Sequence, residues 1–351
     1  MTLTPSKGIS TLHLKRMICV GAVAAGALAS TGVATASATT ISEGGSSLVY
    51  PVASVWASHY TGATVNTAAG GSGKGIQEVT AGQVDIGASD APMTSGQYGS
   101  GNYVQIPWGL SATGIGYNLP GIGNGLKLNA NVLAQIYTGA IKTWGSPAIT
   151  KLNPTLAKKL KGEGAITPVF RSDGSGDSYA FQHFLTASAG RVWKLGYSTA
   201  FGGSTGTGEN GNSGVSEEVK SNKGTIGYIS GAYLLQQHLS VAAIGNADGK
   251  YELPEISAIQ DAAESNSTIT AQGPDFQGVS IVNPSKKYKT AYPISTYTYA
   301  IVSKSDSNLS AVQAFLTWVT NGPGQEFGVT LDFAPLPKGI RSADAGLISS
   351  L

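Results

Sequence analysis

Seven consecutive residues, Arg171-Ser172-Asp173-Gly174-Ser175-Gly176-Asp177, bring together a guanidinium, two carboxylates, two hydroxyls and two glycines. Two further turns, Gly44-Gly45-Ser46-Ser47-Leu48 and Gly70-Gly71-Ser72-Gly73-Lys74-Gly75, offer hydroxyls and pliable backbone with little charge. Each of the three leads into a stretch with helical spacing. A helix N-terminus presents unpaired N–H groups and a partial positive charge, glycine permits close approach, and serine adds a donor. One such turn is an ordinary cap. Three of them, joined by Arg171 and Asp90, describe a dehydrated pocket for a small tetrahedral oxyanion. A carboxylate buried in such a pocket would repel any anion that has no proton to share, and Asp90 is either that carboxylate or a simple turn aspartate before Pro92. Sites built to bond a particular hydrogen reject analogues lacking it by roughly four to five powers of ten.

The elements that must carry these residues alternate between short strands and amphipathic helices, an α/β pattern with mostly parallel sheets. Val84, Ile86 and Ala88 alternate with Asp85 and Gly87, so Asp90 follows the carboxyl end of a strand, where open α/β sheets bind ligands. Ile166 to Phe170 reads as another strand, and Tyr179, Phe181, Phe184 and Leu185 as the inner face of the helix after it. Arg171 and Asp177 therefore flank a strand-to-helix turn. Pro51 opens a helix with Val52, Val55, Trp56, His59 and Tyr60 at helical spacing. Tyr292 to Val302 reads as one long β run. Leu309 to Val319 reads as a helix with Val312, Phe315, Leu316 and Val319 inward, ended by Gly322-Pro323-Gly324.

With 351 residues the chain can bury a sizeable core and favours about two domains. The N-terminus has the pattern of a cleaved export signal: Lys15 and Arg16, an apolar run from Met17 to about Ala29, then Ala36-Ser37-Ala38 as an A-x-A site. The mature chain is expected to begin near Thr39, outside the cytosol, with no lipid anchor. Removing that segment takes Lys7, Lys15 and Arg16 and leaves 19 basic against 20 acidic residues. No basic run remains to neutralise a nucleic-acid backbone or membrane surface. Cys19 is the only cysteine and leaves with the signal, which excludes disulfides and thiol chemistry from the mature chain.

An exported phosphate-ester hydrolase is the enzymatic alternative, with Gly176-Asp177-Ser178 as a faint nucleophile motif. It lacks a base. His59, His183 and His238 are the mature chain's histidines, with no metal-ligand spacing, so no metal or cofactor is expected. Lys74 is followed by Gly75 rather than Ser or Thr, which excludes a Walker loop.

The segments DIGASDAP (Asp85 to Pro92), RSDGSGDS (Arg171 to Ser178), GTIGYIS (Gly224 to Ser230) and YPISTYTY (Tyr292 to Tyr299) carry a resemblance over essentially the whole mature chain. Weaker support comes from IYTGAIKTW at Ile136 to Trp144. The chain resembles the phosphate-binding proteins of the high-affinity phosphate ABC transporter, the PstS family. The resemblance implies a two-lobed periplasmic-binding-protein fold (type II), each lobe a mostly parallel sheet flanked by helices, with a hinge of crossing strands. One lobe would span 39–113 and 291–351, the other 114–290. It implies that Ser47 donates its hydroxyl and Leu48 its backbone amide to phosphate, with Ser72 in the second turn. Arg171 would grip two phosphate oxygens, oriented by Asp173, while Ser175, Gly176 and the Asp177 amide complete the cage. Asp90 would accept a hydrogen bond from a protonated oxygen of hydrogen phosphate or dihydrogen phosphate. Many family members carry Thr where this chain has Asp177, whose carboxylate either takes a further phosphate proton or turns outward as a helix cap. The implied partners are a membrane permease pair and a cytosolic ATPase, with the protein itself a monomer. Phosphate sensing, surface attachment, or binding of sulfate, arsenate or molybdate are the other uses this fold allows.

Overall fold

The structure is a computed structural model and describes residues 39–99, 102–269 and 280–351. The signal segment and its cleavage site lie outside these residues. Among the described residues no helix is long and apolar enough to cross a membrane.

The strands are β1 (Thr40–Gly45), β2 (Thr64–Ala69), β3 (Ile86–Ser89), β4 (Tyr103–Tyr117), β5 (Lys127–Leu128), β6 (Thr167–Arg171), β7 (Thr207–Glu209), β8 (Thr225–Ser230), β9 (Ser240–Val241), β10 (Ala243–Gly245), β11 (Tyr251–Glu252) and β12 (Ser295–Ser303). One sheet runs in the order β2-β1-β3-β12-β4-β8-β6-β7, with β9 also on β4. Its flanks are parallel, β1 pairing with β2 and β3, and β6 with β7 and β8. Its centre is antiparallel: β12 pairs with β3 and β4, and β4 with β8. Each flank is thus the mostly parallel sheet expected of a lobe, with the connecting strands β4 and β12 between the two. The centre differs because β4 and β12 are the connecting strands and run in opposite directions.

β4 joins the two flanks. Its residues Tyr103 to Ala112 pair with β12, and Thr113 to Tyr117 pair with β8. At the changeover the Thr113 N–H donates to the Ile294 carbonyl at 3.0 Å. The register with β12 shifts between Thr298 and Tyr299, opposite Pro107 and Gly109, so Trp108 is the extra residue of a bulge. Pro107 has no N–H to offer a ladder, which makes this a natural place for one.

Each flank packs its own core. Beside β1 to β3, Val52 and Trp56 from the Tyr50–His59 helix meet Val312, Phe315, Leu316 and Val319 from the Leu309–Asn321 helix, all within 1 % exposure. Beside β6 and β8, Phe181, Phe184 and Leu185 from the Gly176–Ala189 helix pack with Tyr137 and Tyr228. Each fully buried aromatic or aliphatic side chain contributes about 1.5–3 kcal/mol. A hydrophobic face therefore holds up each wall, and the cluster behind the second runs on through Tyr297 and Tyr299 of β12 to Ile76 and Val79. The carboxyl ends of β1, β3, β6 and β8, at Gly45, Ser89, Arg171 and Ser230, open toward the seam between the walls.

Candidate anion-binding site

On the first wall, β3 delivers Asp90, which is 2 % exposed. Ser46 Oγ donates to Asp90 at 2.6 Å from Oδ2 and 2.8 Å from Oδ1, and Ser72 Oγ donates to Oδ2 at 3.2 Å. The Thr298 hydroxyl also bonds this carboxylate. Ser72 Oγ in turn accepts from the Asp90 N–H at 3.0 Å. Ser72 is the first residue of the Ser72–Thr80 helix. Asp90 thus rests on hydroxyls.

On the second wall, β6 delivers Arg171, 1 % exposed. Its Nε donates to Asp173 Oδ1 at 2.6 Å, its Nη2 to Asp173 Oδ2, and its Nη1 to Asp177 Oδ2 at 2.9 Å. The two-point contact with Asp173 fixes the plane of the guanidinium. Asp177, the second residue of the Gly176–Ala189 helix, is fully buried and also accepts from Thr113 Oγ1 at 2.8 Å and Asn212 Nδ2 at 2.7 Å. Of the two orientations open to the Asp177 side chain in the sequence, the structure has the inward one. Ser175 caps the same helix, its Oγ accepting from the Ser178 N–H at 3.2 Å.

The walls touch. Gly73 N–H donates to the Gly174 carbonyl at 2.8 Å, and both the N–H and Nδ2 of Asn212 donate to Ser47 Oγ, at 3.2 and 3.0 Å. A Cβ on Gly176 would lie 2.3 Å from Asp90 Oδ2. One on Gly71, whose φ is +86°, would lie 2.3 Å from Asp173 Oδ2. These glycines are required by the closeness of the two walls, and Gly71 by its left-handed backbone as well.

The site's electrostatics follow from burial. Loss of water, reinforced by the Asp177 carboxylate, pushes the Asp90 carboxyl up to about 7. Burial also raises Asp177, against the pull of Arg171. Burial would raise Asp173 too, but its hydrogen bonds and charge contact with Arg171 outweigh that and hold it below the ordinary carboxylate range. Burial lowers Arg171, but Asp173 and Asp177 outweigh that and hold its pKa above the usual value, so it stays a cation. An incoming anion therefore meets one fixed cation, three carboxyls and several helix N-termini.

Ser47, Ser72, Asp90, Arg171, Asp173, Ser175, Gly176 and Asp177 all lie along this seam. Leu48 is buried there too, and its N–H donates to Ser46 Oγ at 3.0 Å. Ser46, Thr113, Asn212 and Thr298 join the site without having been singled out. The signal for Asn212 was present: Gly208-Glu209-Asn210-Gly211-Asn212 is a fourth strand-to-helix turn, leading into the Gly211–Ser221 helix with Val215 and Val219 buried. Among the described residues no group of three or more His, Cys, Asp or Glu is arranged to hold a metal ion.

Residues 29–322 match the family model of the PBP superfamily domain. The chain is 33% identical over 316 residues to the phosphate-binding protein PstS of Haemophilus influenzae, covering 88% of this chain and 92% of that one. Among solved structures, a phosphate-binding protein from Stenotrophomonas maltophilia matches with a TM-score of 0.68 at 21% identity, over 88% of this chain and 94% of that one. A putative phosphate ABC transporter substrate-binding protein with bound phosphate, from Clostridium perfringens, matches with a TM-score of 0.61 at 18% identity, over 85% of this chain and 99% of that one. The chain shares their two-lobed fold and belongs to the PstS family of phosphate-binding proteins.

Proposed function

We propose that the protein captures inorganic phosphate in the seam between its two walls and presents it, enclosed, to the permease pair and ATPase of an ABC importer. Phosphate binding as part of transport follows from membership of the family. The residue roles are our own reading. Arg171, held flat by Asp173, grips phosphate oxygens, and the hydroxyls of Ser47, Ser72 and Ser175 with the amides of Leu48, Gly176 and Asp177 complete the cage. The lobes comprise 39–113 with 291–351, and 114–290, hinged where β4 changes partners. Phosphate stabilises the closed state because only that state engages both walls.

The observation that carries this reading is Asp90: a buried carboxyl, set on three hydroxyls with no cation against it, beside an arginine site made for anions. Whether the proton sits on Asp90 or on the ligand, the pair shares one hydrogen. Sulfate brings none. The hydrolase alternative finds less support, because Ser178 Oγ lies 2.8 Å from the Tyr228 hydroxyl and His183 stacks on Tyr197, with ring centroids 4.3 Å apart. The protein is exported in this reading, and it acts by binding without covalent chemistry. Calorimetric titration of residues 39–351 with phosphate, arsenate and sulfate tests it. Phosphate and arsenate should bind and sulfate should not; equal affinity for sulfate, or turnover of a phosphate ester abolished by Ser178→Ala, would overturn it.

A further inference from the structure

Asn212 sits between the walls with each of its polar groups committed. Its Oδ1 accepts from the Ser230 N–H at 2.8 Å, which fixes which way round the amide lies. Nδ2 then faces the seam, donating to Asp177 Oδ2 at 2.7 Å and to Ser47 Oγ at 3.0 Å. The Asn212 N–H adds a second donor to Ser47 Oγ at 3.2 Å. Ser47 comes from the turn after β1, whereas Asp177 and Ser230 belong to the opposite wall. A cavity of about 270 Å³ on the same seam reaches Ser47 between Gly71, Lys74, Gly211 and Tyr233.

A serine oxygen that accepts two hydrogen bonds has spent its lone pairs, so its own O–H is left to donate. We propose that Asn212 is the positioning residue that couples closure to anion capture: when the walls meet, it latches Ser47 to the Arg171–Asp177 side and turns the Ser47 hydroxyl into a donor toward the bound oxyanion. An open protein would keep the Asn212 bonds to Ser230 and Asp177, which lie on its own wall, and lose those to Ser47. The latch therefore acts on the closed state alone and governs release more than entry. This rests on the phosphate reading above.

The test is a double-mutant cycle of Asn212→Ala and Ser47→Ala, with phosphate affinity by calorimetry, dissociation rate by stopped flow, and melting temperature without phosphate. Each single variant should weaken phosphate binding by about 10- to 100-fold, chiefly through faster dissociation. The double variant should be little worse than the weaker-binding single one, because both changes break the same link. The phosphate-to-sulfate preference should persist in all three, since Asp90 is untouched. Asn212→Ala should melt lower without phosphate, since it loses the bonds to Ser230 and Asp177 whether or not the walls close; fully multiplicative losses, or a dissociation rate unchanged in Asn212→Ala, would reduce Asn212 to a support of its own wall and overturn the proposal. If Asn212→Ala does not fold, Asn212→Asp keeps the volume and the acceptor for Ser230 but sets a carboxyl against Asp177. It should release phosphate faster than wild type and recover as pH falls; wild-type release at neutral pH would overturn the latch. Failure of the wild-type protein to bind phosphate would strike the phosphate reading itself, and is seen before any variant is made.

Discussion

Asp90 and Asp177 are two carboxyls with the same burial and opposite company. Asp90 leans on the hydroxyls of Ser46, Ser72 and Thr298, whereas Asp177 lies against the Arg171 guanidinium and the Asn212 amide. A hydroxyl can rotate to donate or accept, so the first wall tolerates Asp90 with or without a proton. A guanidinium can only donate, so Arg171 pulls Asp177 toward its charged form, against burial, which on balance raises it. One wall can exchange a proton with its ligand, and the other supplies fixed charge. In the proposed function this division of labour between the walls, rather than any single contact, is what would make the site selective.

The largest effect should come from removing the fixed charge. Arg171→Ala strands the buried Asp177 and the half-buried Asp173 without a cation, which costs on the order of 3–5 kcal/mol in folding stability measured by urea unfolding. Phosphate affinity should fall at least about a thousandfold. Arg171→Lys should recover little of it, because an ammonium cannot reproduce the two-point contact with Asp173.

Pressing the walls apart comes next. In Gly176→Ala the new Cβ would need to occupy space 2.3 Å from Asp90 Oδ2, so either the walls part or the carboxyl moves. A drop in phosphate affinity of about a hundredfold, with stability of the phosphate-free protein little changed, is expected by calorimetry and melting. If affinity is unchanged, closure is not the bound state.

A pH titration of the phosphate-free protein sharpens the contrast between the two carboxyls. Asp90 has an ordinary value of 3.8 and is raised to about 7 in the fold. The folded state thus binds its proton more tightly than the unfolded state does. The resulting stability is fully present below about pH 4 and is lost as pH rises through about 7. Because Asp90 titrates together with Asp177, the loss belongs to the pair. Chemical denaturation at stepped pH measures it. Asp90→Asn should flatten the profile over this window, whereas Asp173→Asn, removing a group whose value is lowered, should leave it in place.

The smallest effect is expected from Ser46→Ala. Asp90 then keeps Ser72 and Thr298 but loses its shortest hydrogen bond, costing about 1 kcal/mol and moving the pH window upward. Alkaline displacement of the midpoint is the measurement; no displacement would show that Ser46 is incidental to the proton.

Much of this was legible in local sequence. Alternation in Val84 to Ala88 set Asp90 at a strand's end, and the spacing of Val312, Phe315, Leu316 and Val319 gave the inward face of its helix, all four buried. The turn around Arg171 stood out because charge and glycine are adjacent in the chain, and the structure buries that arginine against Asp173 and Asp177. What stayed hidden depends on contacts across long separations. Thr113 reaches Asp177 only because β4 changes partners there, and Pro107, Gly109, Gly114 and Gly116 mask the strand pattern of that segment. The run from Tyr292 reads as strand throughout, yet β12 starts at Ser295. Tyr292 is taken up by Ala258 and Thr113, its N–H donating to the first carbonyl and its hydroxyl to the second. Ser46 and Ser47 look interchangeable in sequence, but Ser46 serves Asp90 and Ser47 meets Asn212.

The most direct measurement is the ratio of sulfate to phosphate dissociation constants for the wild-type protein and for Asp90→Asn, taken in one buffer at one pH. The proton-sharing role of Asp90 predicts a ratio of about ten thousand or more in the wild type, collapsing toward unity in the variant as sulfate gains affinity. A variant that still rejects sulfate as strongly as the wild type would contradict it.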